Sequence, residues 1–231
     1  MAELILATAY DDDFAPMGDI AATRLRAWAE RLGAKVHVER KLTIDRPPAW
    51  NKVVLIRTLL SQGHDWVVWV DADALVRRLD GDLRTEIREG KDLYLSLHHQ
   101  WVHPMPGMAV RFEVPNTGVM LLRRSDWTLD FLERVWAADQ WITHPWWENA
   151  AVIDLMGYHR LLESSAVNAP RAEIMGRVHW LDWSWNSVPG ECNHPDPHIL
   201  HYTRRGNFEE RLAEMRAALT KIEAVEKGSP P

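Results

Sequence analysis

The chain has 231 residues, 46% hydrophobic and 26% charged, the make-up of one ordinary globular domain. A net charge of −6 argues against a general nucleic-acid binder, and no apolar run approaches the length of a membrane span. One cysteine, Cys192, excludes an internal disulfide and fits a reducing compartment. Met1-Ala2-Glu3 opens straight into a strand-like segment without a basic signal-peptide head, so the expectation is a cytoplasmic protein.

Leu4 to Ala9 reads as a first strand and runs into an acidic loop, Tyr10-Asp11-Asp12-Asp13-Phe14. Ala21, Leu25, Trp28 and Leu32 then recur at helical spacing, with Gly33 as the stop. Lys35 to Val38 reads as a second strand, and strand–helix–strand is the opening of a nucleotide-binding α/β fold. No Gly-x-Gly-x-x-Gly or Walker loop is present, so a dinucleotide or P-loop site is unsupported. Pro47-Pro48 marks a break before a helix over 50–62.

Trp66 to Val70 is an apolar run rich in β-branched and aromatic residues, as expected of a strand buried on both faces. It ends in Asp71 and Asp73. On an extended strand these two point to one face, beyond the strand end where ligands collect. Two acids so placed can hold a divalent cation that faces a phosphate. The bland alternative is a pair of solvated turn residues. A haloacid-type phosphatase also carries Asp-x-Asp, but on its first strand with Gly-Thr following, where this chain has Ala74-Leu75.

Further along, Gly81–Gly90 reads as a short polar helix and Asp92–Leu97 as a strand. Residues 98–115 read as a long loop. Its His98, His99 and His103 lack the helical spacing that would gather them on a metal, so a flexible, acceptor-facing loop is expected. Asn116-Thr117-Gly118 turns into a strand over Val119–Leu122, and Ser125 can cap a helix over Asp126–Trp136. A shorter helix, Trp146–Met156, carries Glu148 and Asn149. Residues 177–206 are rich in Trp, His and Pro and hold a short strand, His198–Tyr202. In the tail, Phe208, Leu212, Met215, Leu219 and Ile222 form a helical stripe that packs on its own domain or offers a route to an oligomer. The expected division is a catalytic domain over 1–206 and a C-terminal helix and tail over 207–231. With 13 Trp against 4 Phe and 4 Tyr, clusters such as Trp146-Trp147 and Trp180, Trp183, Trp185 suggest flat faces for sugar rings.

Five blocks in order carry a resemblance. Pro48-Ala49-Trp50-Asn51-Lys52 with Leu55-Ile56-Arg57, and Asp65-Trp66 through Asp71-Ala72-Asp73-Ala74-Leu75, resemble the core signature of glycosyltransferase family thirty-four. Asn116-Thr117-Gly118 through Arg123-Arg124-Ser125-Asp126-Trp127 is similar to its central block. Trp147-Glu148-Asn149-Ala150-Ala151 and Ile199-Leu200-His201-Tyr202 resemble its acid–amide pair and closing His motif.

The resemblance implies a GT-A fold, a nucleotide-sugar-binding α/β domain whose mixed, mostly parallel sheet is flanked by helices. It also implies retaining transfer from a UDP- or GDP-linked nucleoside-diphosphate sugar to a glycan or small-molecule acceptor. Asp71, Asp73 and His201 would hold Mn²⁺ or Mg²⁺, with the imidazole favouring Mn²⁺. Ala72 and Asn116 would border the donor, and Thr8, Tyr10, Asp11 and Asp13 would line its base and ribose. Lys52 and Arg57 would contact phosphate or sugar, the alternative for both being a solvated helix face. The family's closing motif places a Lys on the diphosphate; here His201 is followed by Arg204, Arg205 and Gly206, and Arg204 would take that role. Its acid–amide pair is Asp-Gln, and here Glu148 and Asn149 would be the catalytic pair. A catalytically inactive carbohydrate- or nucleotide-binding module is the alternative reading.

Overall fold

The computed structural model describes residues 3–159, 162, 167–203 and 206–228, the side chains at positions 102 and 104 excepted. In chain order the first elements are β1 (Leu4–Ala9), α1 (Ala15–Leu32), β2 (Lys35–Glu39), α2 (Asn51–Ser61), β3 (Trp66–Val70) and β4 (Ala74–Val76). Then follow β5 (Leu93–Met105), β6 (Met108–Arg123), α3 (Asp126–Trp136), α4 (Trp147–Met156), α5 (Ala172–Met175), β7 (Val178–Leu181), β8 (Ile199–His201) and α6 (Phe208–Glu226).

The two most apolar strands lie at the heart of a sheet of order β2-β1-β3-β6-β5-β7. β1 pairs in parallel with β2 and β3, β6 runs antiparallel to β3 and β5, and β7 returns parallel to β5. The sheet is mixed and mostly parallel, as expected. β3 is buried on both faces, and its period of two divides it cleanly. Val67 and Trp69 face α2, α3 and α4 through Ile56, Leu60, Phe131 and Ile153, whereas Trp66, Val68 and Val70 face α1 through Leu25 and Trp28. α1 stops as its sequence predicts: Gly33 takes a φ of 62° and its N–H returns to the last carbonyls.

Three expectations need correction. Gly81–Gly90 forms only a 3₁₀ turn, Leu83–Glu86, capped by Asp82, because Leu83 turns into the core. Residues 98–115 are no loop: β5 and β6 run on as a hairpin to a two-residue turn, Pro106-Gly107, where Gly107 supplies a φ of 79°. Asn116-Thr117-Gly118 lies within β6 at a register shift, opposite Leu95 and Ser96, and so is a bulge rather than a turn. β7, with no alternation to announce it, went unanticipated. The Trp cluster also divides: Trp185 is core, stacked between Trp28 and His198, whereas Trp146 and Trp147 border a cleft.

A second, two-stranded sheet pairs β4 antiparallel with β8. α6 opens with a capping box, Asn207 and Glu210, and buries Leu212, Met215 and Ile222 against Met17, Ala21, Leu75 and Tyr202. Its apolar stripe is thus spent inside the chain. Near the helix end, Glu226 meets Arg24 of α1, whose guanidinium also donates to the Val76 and Arg77 carbonyls just past β4.

Met215 has no exposed surface. Met215→Ala should therefore cost about 2–4 kcal/mol, read as a lower urea midpoint at an unchanged slope.

Candidate active site

A cavity of about 720 Å³ opens beyond the carboxyl ends of β1 and β3. Its geometry begins with how β3 ends. The Asp71 N–H donates to the Gly118 carbonyl (2.8 Å), extending the β3–β6 ladder by one step, and the Ala74 N–H then closes on the Asp71 carbonyl (2.9 Å). Asp71 to Ala74 is therefore a tight turn, not the extended strand expected, and the turn brings the two carboxylates round to one side.

β4 leaves that turn and pairs with β8 in a register that sets Ala74 opposite His201. The Tyr202 N–H to Asp73 carbonyl bond (2.9 Å) continues the ladder. Residues remote in sequence are joined by this short ladder. His201 Nε2 lies 3.2 Å from Asp73 Oδ1 and 3.9 Å from Asp71 Oδ2, and one ligand atom from each of the three lies within 4.8 Å of the others.

The imidazole is held in one orientation. Asn186 Oδ1, which can only accept, lies 2.8 Å from His201 Nδ1, and the Asn186 amide is oriented by donating to Asn116 Oδ1 at 2.9 Å. Nδ1 therefore donates to Asn186, and Nε2 is the nitrogen that faces the carboxylates, the ring orientation that metal-binding histidines require. Gly118 makes the room: a Cβ there would lie 2.0 Å from His201 Cε1. Two carboxylate oxygens and an imidazole nitrogen, gathered and oriented in this way, fit a divalent cation.

Lys52 stands behind Asp71. Its ammonium lies 2.9 Å from Asp71 Oδ1, 2.7 Å from Glu148 Oε1 and 3.2 Å from the Thr117 carbonyl. Burial alone would favour the neutral amine, but the two carboxylates outweigh it and hold its pKa above the ordinary lysine value. Glu148 is only 3% exposed, and burial, with Asp71 nearby, raises its pKa against the pull of Lys52. It is no solvated helix-end charge. Asn149 accepts from the Thr117 N–H at 3.0 Å, so the bulge in β6 and the start of α4 are stitched together. Trp147, just before them, has a φ of 47°, a strained conformation for a bulky residue and one often kept at functional sites. For Asp73, burial pushes upward, but His201 and Arg211 hold the carboxyl below its usual value.

Tyr10, Asp11, Asp13, Lys52, Ala72, Asn116, Glu148 and Asn149 all border the cavity with the metal triad. Thr8 does not; it is buried one residue beneath the rim. Arg57 is a correction. It pairs with Glu133 on the surface, because five residues along a helix turn a side chain roughly 140° from Lys52. Arg204 lies outside the described residues. Of the loop histidines, His99 reaches the cavity. His98 also borders it, but its Nε2 lies 2.7 Å from the Asn186 carbonyl, and its pKa is pushed down to about 4, mainly by burial.

Sequence reasoning missed Asn186, Thr117 and Arg211. Arg211 donates to Asp73 Oδ2 at 3.2 Å from α6. No local pattern marks it; only the docking of α6 brings it there.

Solved structures decide the fold. A glycosyltransferase involved in glycosylation of the major capsid of PBCV-1 superposes with a TM-score of 0.64, at 14% identity, over 93% of this chain and 99% of that one. The chain has the GT-A glycosyltransferase fold. The apo WbbM bifunctional glycosyltransferase aligns at a TM-score of 0.53 and 11% identity, over 96% of this chain and 51% of that one. In sequence, the "Probable glycosyltransferase 7" proteins of Oryza sativa subsp. indica and subsp. japonica are each 32% identical over 91 residues, 38% of this chain. The chain spans 19% of the length of these curated relatives. No family model matches it.

Gly118→Ala tests the triad without touching a ligand. The added methyl must displace the His201 ring, so Mn²⁺ affinity measured by calorimetry should fall about tenfold or more, while the far-ultraviolet spectrum stays that of the parent.

Proposed function

We propose that the protein is a metal-dependent, retaining glycosyltransferase using a nucleoside-diphosphate sugar. The observation that carries this reading is the convergence of Asp71, Asp73 and an oriented His201 at the strand ends of a GT-A sheet, with Lys52 and Glu148 behind them. Asp71, Asp73 and His201 would hold a divalent cation, Mn²⁺ or Mg²⁺, which would supply Lewis-acid neutralisation of diphosphate charge. The acidic loop after β1, with Tyr10, Asp11 and Asp13, takes the base and ribose, UDP- or GDP-linked, and Ala72 and Asn116 border the sugar.

Glu148 and Asn149 are the catalytic pair. Lys52 and Thr117 share one carboxylate oxygen of Glu148 and so fix its orientation. A carboxylate kept in a dry corner stabilises positive charge at the anomeric carbon far better than one in water. The acceptor hydroxyl of a glycan or small molecule then attacks on the face the diphosphate leaves. Among the described residues, no helix is long and apolar enough to cross a membrane. A cytoplasmic setting accords with the lone, free Cys192.

The experiment is a panel of UDP- and GDP-sugars incubated with Mn²⁺, read as released nucleoside diphosphate. Turnover with at least one donor, lost in Asp73→Ala with the fold intact, is the expected result. Donor binding without turnover across the panel would leave the inactive binding module as the answer, and hydrolysis of p-nitrophenyl phosphate would point instead to a phosphatase. Within an active enzyme, Glu148→Gln keeps the shape of the pair and should lower turnover by about a hundredfold at unchanged donor affinity. Near-normal turnover in that variant would remove Glu148 from the catalytic role.

A further inference from the structure

The metal corner already contains a cation of the protein's own. Arg211, in the first turn of α6, donates from Nη1 to Asp73 Oδ2 (3.2 Å) and to the Tyr202 carbonyl (3.1 Å). Its side chain borders the cavity at 14% exposure, and its Nε–H is buried with no hydrogen-bond partner among the described residues. A guanidinium with an unused buried donor beside an anion cleft is poised to take a second, anionic partner.

Asp71 is matched by Lys52 in a similar way, but the two cations differ in freedom. Lys52 is also tied to Glu148 and Thr117, which saturates an ammonium's three hydrogens, and it is 3% exposed. Arg211 holds the corner from one side only.

We propose that Arg211 is a resident counter-ion of Asp73 that transfers to the diphosphate of the donor when the divalent cation arrives, so that metal and diphosphate bind cooperatively and each binds weakly alone. This rests on the nucleotide-sugar reading above. In the free protein Arg211 neutralises Asp73 and competes with any incoming cation. Diphosphate alone meets a corner whose three carboxylates, Asp71, Asp73 and Glu148, outnumber Lys52 and Arg211, and is repelled. A cation on the triad reverses both signs: it repels the neighbouring guanidinium and attracts the diphosphate, whose oxygens match the guanidinium fork. Coupling of this kind is reciprocal by thermodynamic necessity.

The test is titration calorimetry with MnCl₂, with UDP, with GDP, and with each nucleotide at saturating Mn²⁺, on the wild-type protein and two variants. In the wild type, Mn²⁺ should bind about tenfold or more tightly in the presence of the preferred nucleotide. Arg211→Gln removes the competitor and the clamp together. Mn²⁺ alone should then bind about three- to tenfold more tightly, while the nucleotide at saturating Mn²⁺ binds about tenfold more weakly. Misfolding weakens both and cannot produce opposite signs. Arg211→Lys keeps the charge but loses the fork, so it should hold Mn²⁺ affinity near wild type and still weaken the nucleotide several-fold.

Unchanged affinities in Arg211→Gln, or weaker binding of Mn²⁺ alone in a variant that melts like wild type, would overturn the proposal and leave Arg211 a fixed partner of Asp73 that does not transfer to the diphosphate. A wild-type protein that binds neither Mn²⁺ nor either nucleotide would instead overturn the nucleotide-sugar reading beneath it.

Discussion

Three carboxylates, Asp71, Asp73 and Glu148, share one corner, and the rest of the site is arranged around their mutual repulsion. Like charges in low dielectric repel strongly, and an unpaired buried carboxylate takes up a proton instead. The chain meets this with two cations drawn from elements far apart in sequence. Lys52, from the first turn of α2, bridges Asp71 and Glu148, and Arg211, from α6, meets Asp73. α2 packs on the main sheet and α6 on α1 and the β4–β8 pair, so the charge balance is established by the fold itself. The Asn-Thr-Gly bulge of β6 then completes the corner. Asn116 steadies Asn186 and through it His201, Thr117 shares Glu148 with Lys52, and Gly118 clears space for the imidazole.

Much of the sheet was legible because burial dictates composition. Trp66 to Val70 reads as a strand buried on both faces, and it is one. α1 reads as a helix from four apolar positions and a terminal glycine, and both features recur in the structure. The β5–β6 hairpin was not legible because much of its outer half is exposed or only half-buried, so no hydrophobic alternation marks it. Backbone pairing holds it, and backbone pairing leaves little trace in side-chain pattern. β7 hid for the same reason, as a four-residue edge strand in a segment dominated by Trp and His.

The site was legible in its types and not in its directions. Asp71 and Asp73 announce themselves by following an apolar strand, yet they meet through a turn rather than through the alternation of an extended chain. His201 carries no such local signal; it entered through family resemblance, and the β4–β8 register explains why it belongs there. Lys52 and Arg57 stand on one helix with one charge, and helical geometry alone sends the first to the cleft and the second to Glu133. Arg211 sits beside Leu212 in a stripe whose apolar members are visible by period. Its own role depends on where that stripe docks, which no local pattern encodes.

That docking changes what the C-terminal helix is for. β4 has only three residues, too few to hold the Asp71–Ala74 turn rigidly by pairing with β8 alone. α6 is tied to both ends of β4. At the entry it meets Asp73 through Arg211; past the exit, Glu226 grips Arg24, which in turn holds the Val76 and Arg77 carbonyls. Between these ties Leu212 and Met215 pack in one cluster with Leu75, the middle residue of the strand. The helix therefore sets the position of the carboxylate turn relative to the sheet, and Phe208 and Arg211 extend it into the cavity wall. A segment that reads in sequence as a tail appended to a catalytic domain is, by these contacts, part of the frame that fixes the Asp-x-Asp turn in place.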